Sequence, residues 1–152
     1  MQSPLRISII LTTMLASCTD VRVEDQTPFA QGIFGKTTKS VGDFMCCPGT
    51  GETFPISVPI HIFPGRFLFP EDGESSLDAS DVHEVGFVAH SDDSGAYRAE
   101  LPPGEYTVFM ELDGTLYRNC LTLEDPSTFC TVVVVEDEFS EVNMDDNSDA
   151  VY

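Results

Sequence analysis

Residues 84–117 read EVGFVAHSDDSGAYRAELPPGEYTVFMELDGTLY, and the parity of their apolar residues decides the fold class. Val85, Phe87 and Ala89 share one side of a segment running from Glu84 to His90. Tyr97, Ala99 and Leu101 share one side of the next, and Tyr106, Val108, Met110 and Leu112 share one side of a third. Leu116 and Tyr117 mark a fourth. A period of two is the signature of a strand with one buried face. Each boundary carries turn chemistry: Ser91-Asp92-Asp93-Ser94-Gly95, then Pro102-Pro103-Gly104, then Asp113-Gly114. Asp-Gly between alternating apolar runs is a strong hairpin signal. Asp92 or Asp93 is expected to accept backbone N–H groups, with Gly95 at positive φ. The prolines set φ at about −65° in the second turn, and Gly104 is expected to supply its left-handed residue.

The same reading extends outward. Upstream, Ile33 to Val41 is a candidate strand, and Ile56 to Ile62 is another with Ile56, Val58, Ile60 and Ile62 on one face. Pro59 cannot donate to a ladder, which assigns this second strand to a sheet edge. Downstream, Thr131 to Val135 is a β-branched run, and Glu136-Asp137 turns it into Phe139 to Met144. No segment past residue 31 has helical periodicity. Seven or eight strands at this spacing imply an all-β sandwich. Three stretches fall outside the pattern: a Gly/Pro/Cys loop from Gly42 to Phe54, a long acidic and aromatic loop from Pro64 to Val82, and an acidic ending from Asp145 to Tyr152 expected to be loose.

Charge and the amino terminus set the address. The 152 residues hold 26 acidic and 7 basic side chains, a formal net charge of −19, which excludes a nucleic-acid binder that must neutralise phosphates. Met1 to Ser17 has a basic start at Arg6 and a short apolar stretch, Ile7 to Leu15, too short to span a bilayer. It reads as an export signal over residues 1–17, followed by a flexible tether over 18–31 and one domain over 32–152. Leu15-Ala16-Ser17-Cys18 resembles the lipobox of bacterial lipoproteins. That resemblance implies cleavage before Cys18, acylation of its thiol, and membrane attachment through it; several acyl chains anchor firmly where one does not. Thr19 rather than Asp after the lipidated cysteine implies the outer membrane by the sorting rule of enteric bacteria.

Four motifs in order carry a second resemblance: Gly32-Ile33-Phe34-Gly35-Lys36, Val58-Pro59-Ile60-His61-Ile62, Asp92-Asp93-Ser94-Gly95-Ala96-Tyr97 and Leu101-Pro102-Pro103-Gly104-Glu105-Tyr106-Thr107-Val108. The series is similar to the carboxypeptidase regulatory-like, or prealbumin-like, domains of bacterial exported proteins. Those domains show a GxxGxV opening, a TDxxGxF turn and an LPPGxYxV turn. The resemblance implies a prealbumin-like or Ig-like sandwich acting as an accessory module. The Cys46-Cys47 pair, the Cys120/Cys130 pair and the Pro64 to Val82 loop depart from the family pattern.

Chemical candidates follow from residue type. Four cysteines remain besides Cys18, allowing three connectivities in an oxidising compartment. Adjacent Cys46 and Cys47 bridge each other only with strain. An up-and-down strand count puts their loop opposite the Cys120 to Cys130 loop, which favours a Cys120–Cys130 bridge worth about 2–3 kcal/mol and leaves Cys46 and Cys47 unassigned. Met45-Cys46-Cys47, with His61, His83 and His90 as supplements, has the softness for Cu(I), but thiols in an oxidising compartment usually end as disulfides; Glu71, Asp72, Glu74, Asp78 and Asp81 have the oxygens for Ca²⁺ but not the spacing of an EF-hand loop, so no metal or cofactor is expected. GxSxG, HExxH and P-loop motifs are absent, and the ending Asp149-Ala150-Val151-Tyr152 lacks the Tyr-Arg-Gly-Ser close of transthyretin-related hydrolases. No catalytic residue and no enzymatic activity is expected. Phe67 and Phe69 beside an acidic run are candidate anchors for an envelope or extracellular protein, with a lid over the sandwich edge as the competing reading. On the binding reading the protein is an accessory module. An inhibitor or immunity-type protein using the same loop is the alternative, and metal handling is a weaker one.

Overall fold

The computed structural model describes residues 30–45, 50–70, 75–120 and 127–152. In chain order the strands are β1 (Gly32–Asp43), β2 (Gly51–Pro55), β3 (Pro59–Pro64), β4 (Ser76–Asp78), β5 (Phe87–His90), β6 (Ala96–Glu100), β7 (Gly104–Leu112), β8 (Thr115–Tyr117), β9 (Thr131–Val134), β10 (Phe139–Glu141) and β11 (Met144–Val151). A single 3-10 turn, Ala79–Asp81, accompanies them, and the described residues contain no α-helix. The strands form two sheets, one of five and one of six, so the all-β sandwich stands with more and shorter strands than the alternation alone resolves.

Strand β1 is the spine of the first sheet. Its first half pairs in parallel with β10 and antiparallel with β6; its second half pairs in parallel with β11 and antiparallel with β2. In the second sheet the order is β4-β8-β7-β3-β5, and β9 adds to the first half of β7. Between the sheets lie Ile33, Tyr97, Val142 and Met144 from one side and Ile60, Ile62, Tyr106, Val108, Met110 and Val134 from the other. A polar knot pins one end of this core. Buried Ser91 accepts from Val58 N–H at 2.9 Å and lies 2.9 Å from the buried Thr37 hydroxyl, which reaches Ile56 C=O at 2.6 Å.

The turns behave as their residues require in two cases of three. Asp92 accepts from the N–H groups of Ser94 and Ala96, and Gly95 has φ 76°. Asp113 and Gly114 both take positive φ, 50° and 83°, closing the β7–β8 hairpin at the pair Leu112–Thr115. Gly104, expected to be left-handed, is not; it opens β7 in register with Val134. The Tyr106 hydroxyl donating to Pro102 C=O at 2.9 Å holds that corner instead.

Four further expectations are corrected. Strand β3 is interior, between β7 and β5, and not an edge. Pro59 is tolerated because it is the first residue of the strand and faces only His90 of β5, the β7 register starting at Ile60. The edge falls on β5, where Val85 just before it is 91 % exposed. The Gly42 to Phe54 loop is mostly a hairpin of β1 and β2, paired down to Gly42 and Gly51. The Pro64 to Val82 loop contains β4 and the 3-10 turn.

The fourth correction concerns the acidic ending, which is strand β11 and not a loose tail. Its register with β1 slips between Lys39 and Val41, so three residues of β11 span what two span on β1. Asp146 and Asp149 would face opposite ways in a regular strand; the extra residue lets both reach the Lys39 ammonium, at 3.1 and 2.7 Å. Asp146 is only 2 % exposed. Burial pushes its carboxyl up, but bonds from the Ser148 hydroxyl and N–H and the Lys39 ammonium outweigh this and leave it below the ordinary value. Hydrogen bonds to Asp149 and then Asp146 raise Lys39 above its ordinary value.

These directions set a pH window. The Asp146 contribution is present at neutral pH and is lost as pH falls through its depressed folded value, below about 3.9. The Lys39 contribution is lost only as pH rises through its raised folded value, above about 10.4. Lys39→Met strands Asp146 and is expected to cost on the order of 2 kcal/mol at pH 7, less than the about 3–5 kcal/mol of a fully buried pair because Lys39 keeps some water. Urea melts at pH 7 and pH 2.5 check this: the deficit should shrink at the lower pH, as Asp146 takes up its proton. A deficit unchanged between the two contradicts the assignment.

Candidate functional site

Strand β7 is buried on both faces from Tyr106 to Met110. One face joins the sandwich core; the other carries Phe109, which with Phe63, Leu116 and Phe129 forms a second apolar cluster on the outside of the six-stranded sheet. Such a cluster must be covered, and Phe67, Phe69, Leu77, Ala79 and Val82, the described apolar residues of the Pro64 to Val82 segment that pack on it, cover it. Leaving β3, the chain is pinned by Gly65 N–H to Glu105 C=O at 2.8 Å and by the Thr107 hydroxyl to Gly65 C=O at 2.7 Å. Phe69 N–H then donates to Ser127 C=O at 2.7 Å, and Phe129 N–H to Phe67 C=O at 3.1 Å, bracketing a bridge between Leu68 and Thr128.

This short ladder decides where the aromatic rings point. Phe67 and Phe69 turn inward, with ring centroids 5.7 Å from Phe109 and 4.8 Å from Phe129 respectively. Leu68 between them turns outward and is 73 % exposed. The rings named as candidate anchors are therefore half-buried parts of a lid, and the exposed apolar residue is their neighbour. Cys120 and Cys130 lie at disulfide distance, Cα–Cα 5.3 Å, next to the bridged Thr128 and Phe129 segment that leads into β9.

The lid closes on β4, which pairs with β8, and on the 3-10 turn, whose N-cap Asp78 accepts from Ser80 N–H and hydroxyl. Those bonds, the hydroxyl's first, hold the Asp78 carboxyl below its ordinary value. Leu77, Ala79 and Val82 pack against the Phe cluster. Between the Arg66 to Leu68 segment and this turn lies a cleft of about 440 Å³. Phe67, Leu68, Leu77 and Val82 give it an apolar floor, and Asp78, Asp81 and Glu84 give it an acidic rim. Arg66 stands on the opposite wall, its guanidinium 2.9 Å from Glu105. That contact, then the Thr131 hydroxyl, keeps Glu105 below its ordinary value. A second cleft of about 240 Å³ lies on the far side of Val82 and Glu84, toward Phe87 and Val88 of β5. It borders His61, whose Nε2 is 2.6 Å from a Glu111 carboxylate oxygen.

Chemically this face can grip but offers no assembled nucleophile. Among the described residues His61 bonds Glu111 and no Ser, Thr or Cys, and no group of three His, Cys, Asp or Glu is placed to hold a metal. Asp78 spends its carboxylate on Ser80. Cys18, Cys46, Cys47, Glu71, Asp72 and Glu74 lie outside the described residues, so the cysteine expected to be lipidated and most of the acidic run do too. Sequence reasoning missed the His61–Glu111 pair, Leu68 and the part of Glu84 in the rim, and it read Asp78 and Asp81 only as candidate oxygen ligands. A signal for the second apolar layer was present: Tyr106 to Met110 is apolar at both parities except Thr107, as a strand covered on both faces is. The chain matches no family model and no curated protein.

Proposed function

We propose that the protein is a non-enzymatic binding module held at the bacterial cell envelope, at the outer membrane, by a lipid on Cys18. The lipobox order Leu15-Ala16-Ser17-Cys18 supports the anchor, and the two turn motifs within Asp92 to Val108 support a carboxypeptidase regulatory-like domain over residues 32–152. One observation carries the binding reading: the 440 Å³ cleft joins exposed Leu68 to an acidic rim of Asp78, Asp81 and Glu84. An apolar centre within a polar rim is how protein-binding patches are built. The sign of the rim and the net charge of −19 select an envelope or extracellular protein segment that is basic and apolar. The inhibitor or immunity-type reading rests on the same place. Leu68 projects from a segment clamped to the Ser127–Phe129 strand, which gives a partner a pre-ordered side chain to seat.

The test has two arms. Cys18→Ala is expected to release the protein from the membrane fraction or leave an unprocessed precursor; unchanged partitioning and processing contradict the anchor. A photo-crosslinking side chain at Leu68 is expected to give one discrete protein adduct in cells, weakened by Asp81→Lys, while the same group at Glu136 gives none. The absence of an adduct at Leu68, or equal adducts at both positions, contradicts the binding face.

A further inference from the structure

Arg118 follows β8 and carries a cation that no described residue pairs. Its backbone N–H donates to Ser75 C=O, but its side-chain Nε is buried without a hydrogen-bond partner. Among the described residues its guanidinium forms no ion pair, in a chain with 26 acidic residues. Desolvation pulls it below the ordinary arginine value. Buried polar groups without partners are uncommon, and the planar guanidinium fork matches a carboxylate.

Arg118 lines a cleft of about 220 Å³ with Asn119, Cys120, Asn143, Met144, Asp145 and Asn147. The amides there are already oriented. Asn147 Oδ1 accepts from the Tyr117 hydroxyl and from Asn119 Nδ2, both at 2.7 Å. An amide has two donors and one acceptor oxygen, so Asn147 keeps its Nδ2 donor and Asn119 its Oδ1 acceptor for a further partner. Asp145 accepts from the Thr38 and Ser40 hydroxyls, at 2.6 and 3.2 Å, so part of its charge is already met within the first sheet. The cleft is smaller than the sites that take drug-sized ligands, which restricts it to one small molecule or one unit of a chain.

We infer that the Arg118 cleft is a binding site for a small carboxylate-bearing polyol, an acidic saccharide unit. The guanidinium meets the carboxylate in a charge-assisted pair. The free amide donor and acceptor of Asn147 and Asn119 meet adjacent hydroxyls, which both donate and accept. A bare carboxylate could accept from the guanidinium and from Asn147 Nδ2 but has no hydrogen to give the Asn119 Oδ1 acceptor, which a hydroxyl supplies; a neutral sugar would leave the cation unpaired. This site is separate from the lid cleft, and neither reading depends on the other.

Calorimetric titration of the purified full-length protein tests it, with D-galacturonate as probe, D-galactose as its neutral isostere, and acetate and inorganic phosphate as bare anions. Galacturonate is expected to bind at least tenfold more tightly than acetate or phosphate, with no detectable heat from galactose. Arg118→Lys is expected to weaken galacturonate at least tenfold, because lysine cannot offer the planar fork. Asn147→Asp keeps both accepted hydrogen bonds and replaces the amide donor with a negative charge; it should abolish binding while the thermal melt stays near wild type. It keeps the test decisive if the Arg118 variant fails to fold. No galacturonate binding, binding that survives both variants, or equal affinity for acetate, which means an adventitious ion only, each overturns the proposal.

Discussion

Gly35→Val is expected to be the most damaging single substitution in the sandwich. Gly35 sits where β1 exchanges β10 for β11, beside the Val142 and Asn143 connection. A Cβ there would lie 1.9 Å from Val142 C=O and 2.6 Å from its carbon, both backbone atoms that cannot swing aside. The same carbonyl accepts from the buried Tyr97 hydroxyl, and Val142 N–H donates to Phe34 C=O at 2.8 Å. Accommodating the side chain must separate the strands and break these bonds. The expected loss is on the order of 3 kcal/mol or more, combining overpacking with unpaired buried groups. Gly104→Ala is the control: its Cβ would meet only the Tyr106 ring, at 3.3 Å, and should shift stability by no more than about 1 kcal/mol. Urea midpoints of the two variants measure the difference. Equal midpoints would falsify the strand-exchange role of Gly35.

Replacing Phe67 and Phe69 together with alanine is expected to cost about 4 kcal/mol, since removing a fully buried Phe costs about 3–5 kcal/mol and these two are each half-buried. Both rings belong to the layer over Phe63, Phe109 and Phe129, with Phe67 5.1 Å from Phe63. Leu68→Ser, one residue from each, should leave stability within about 0.5 kcal/mol because its side chain faces water. The pair of measurements separates lid from docking surface. If the double variant melts like wild type and Leu68→Ser does not, the inward and outward assignments along Phe67 to Phe69 are reversed.

Much of the fold was legible because strand alternation and turn chemistry are local. Each of the four segments read between Glu84 and Tyr117 overlaps a strand, Phe87–His90, Ala96–Glu100, Gly104–Leu112 and Thr115–Tyr117, and Asp92, Gly95 and Asp113-Gly114 do what their backbone preferences dictate. Two failures came from weighing a residue without its neighbours in space. Pro59 argued for an edge, yet one missing N–H matters only if a strand lies on that side, and β7 begins its register one residue later. The run Asp145 to Asp149 argued for a solvated tail, yet Lys39, Thr38 and Ser40 on β1 supply a cation and two hydroxyls to meet it.

The sequence by itself determined an all-β chain and its main turns, because each depends on residues within a few positions of one another, and it favoured Cys120–Cys130 through an up-and-down count of the strands. Only the tertiary structure decided that the Pro64 to Val82 segment is a lid with Leu68 outermost and Phe67 and Phe69 within. That outcome depends on Phe63, Phe109 and Phe129 meeting on one face of a sheet, and on a bridge between Leu68 and Thr128, residues 60 positions apart. Likewise nothing in the order of residues places Arg118 against Asn143 and Asn147. They meet because β11 returns in parallel along β1, a long-range pairing held by the burial of Met144 in the core and by the Lys39–Asp146 ion pair and not by any local preference of the chain.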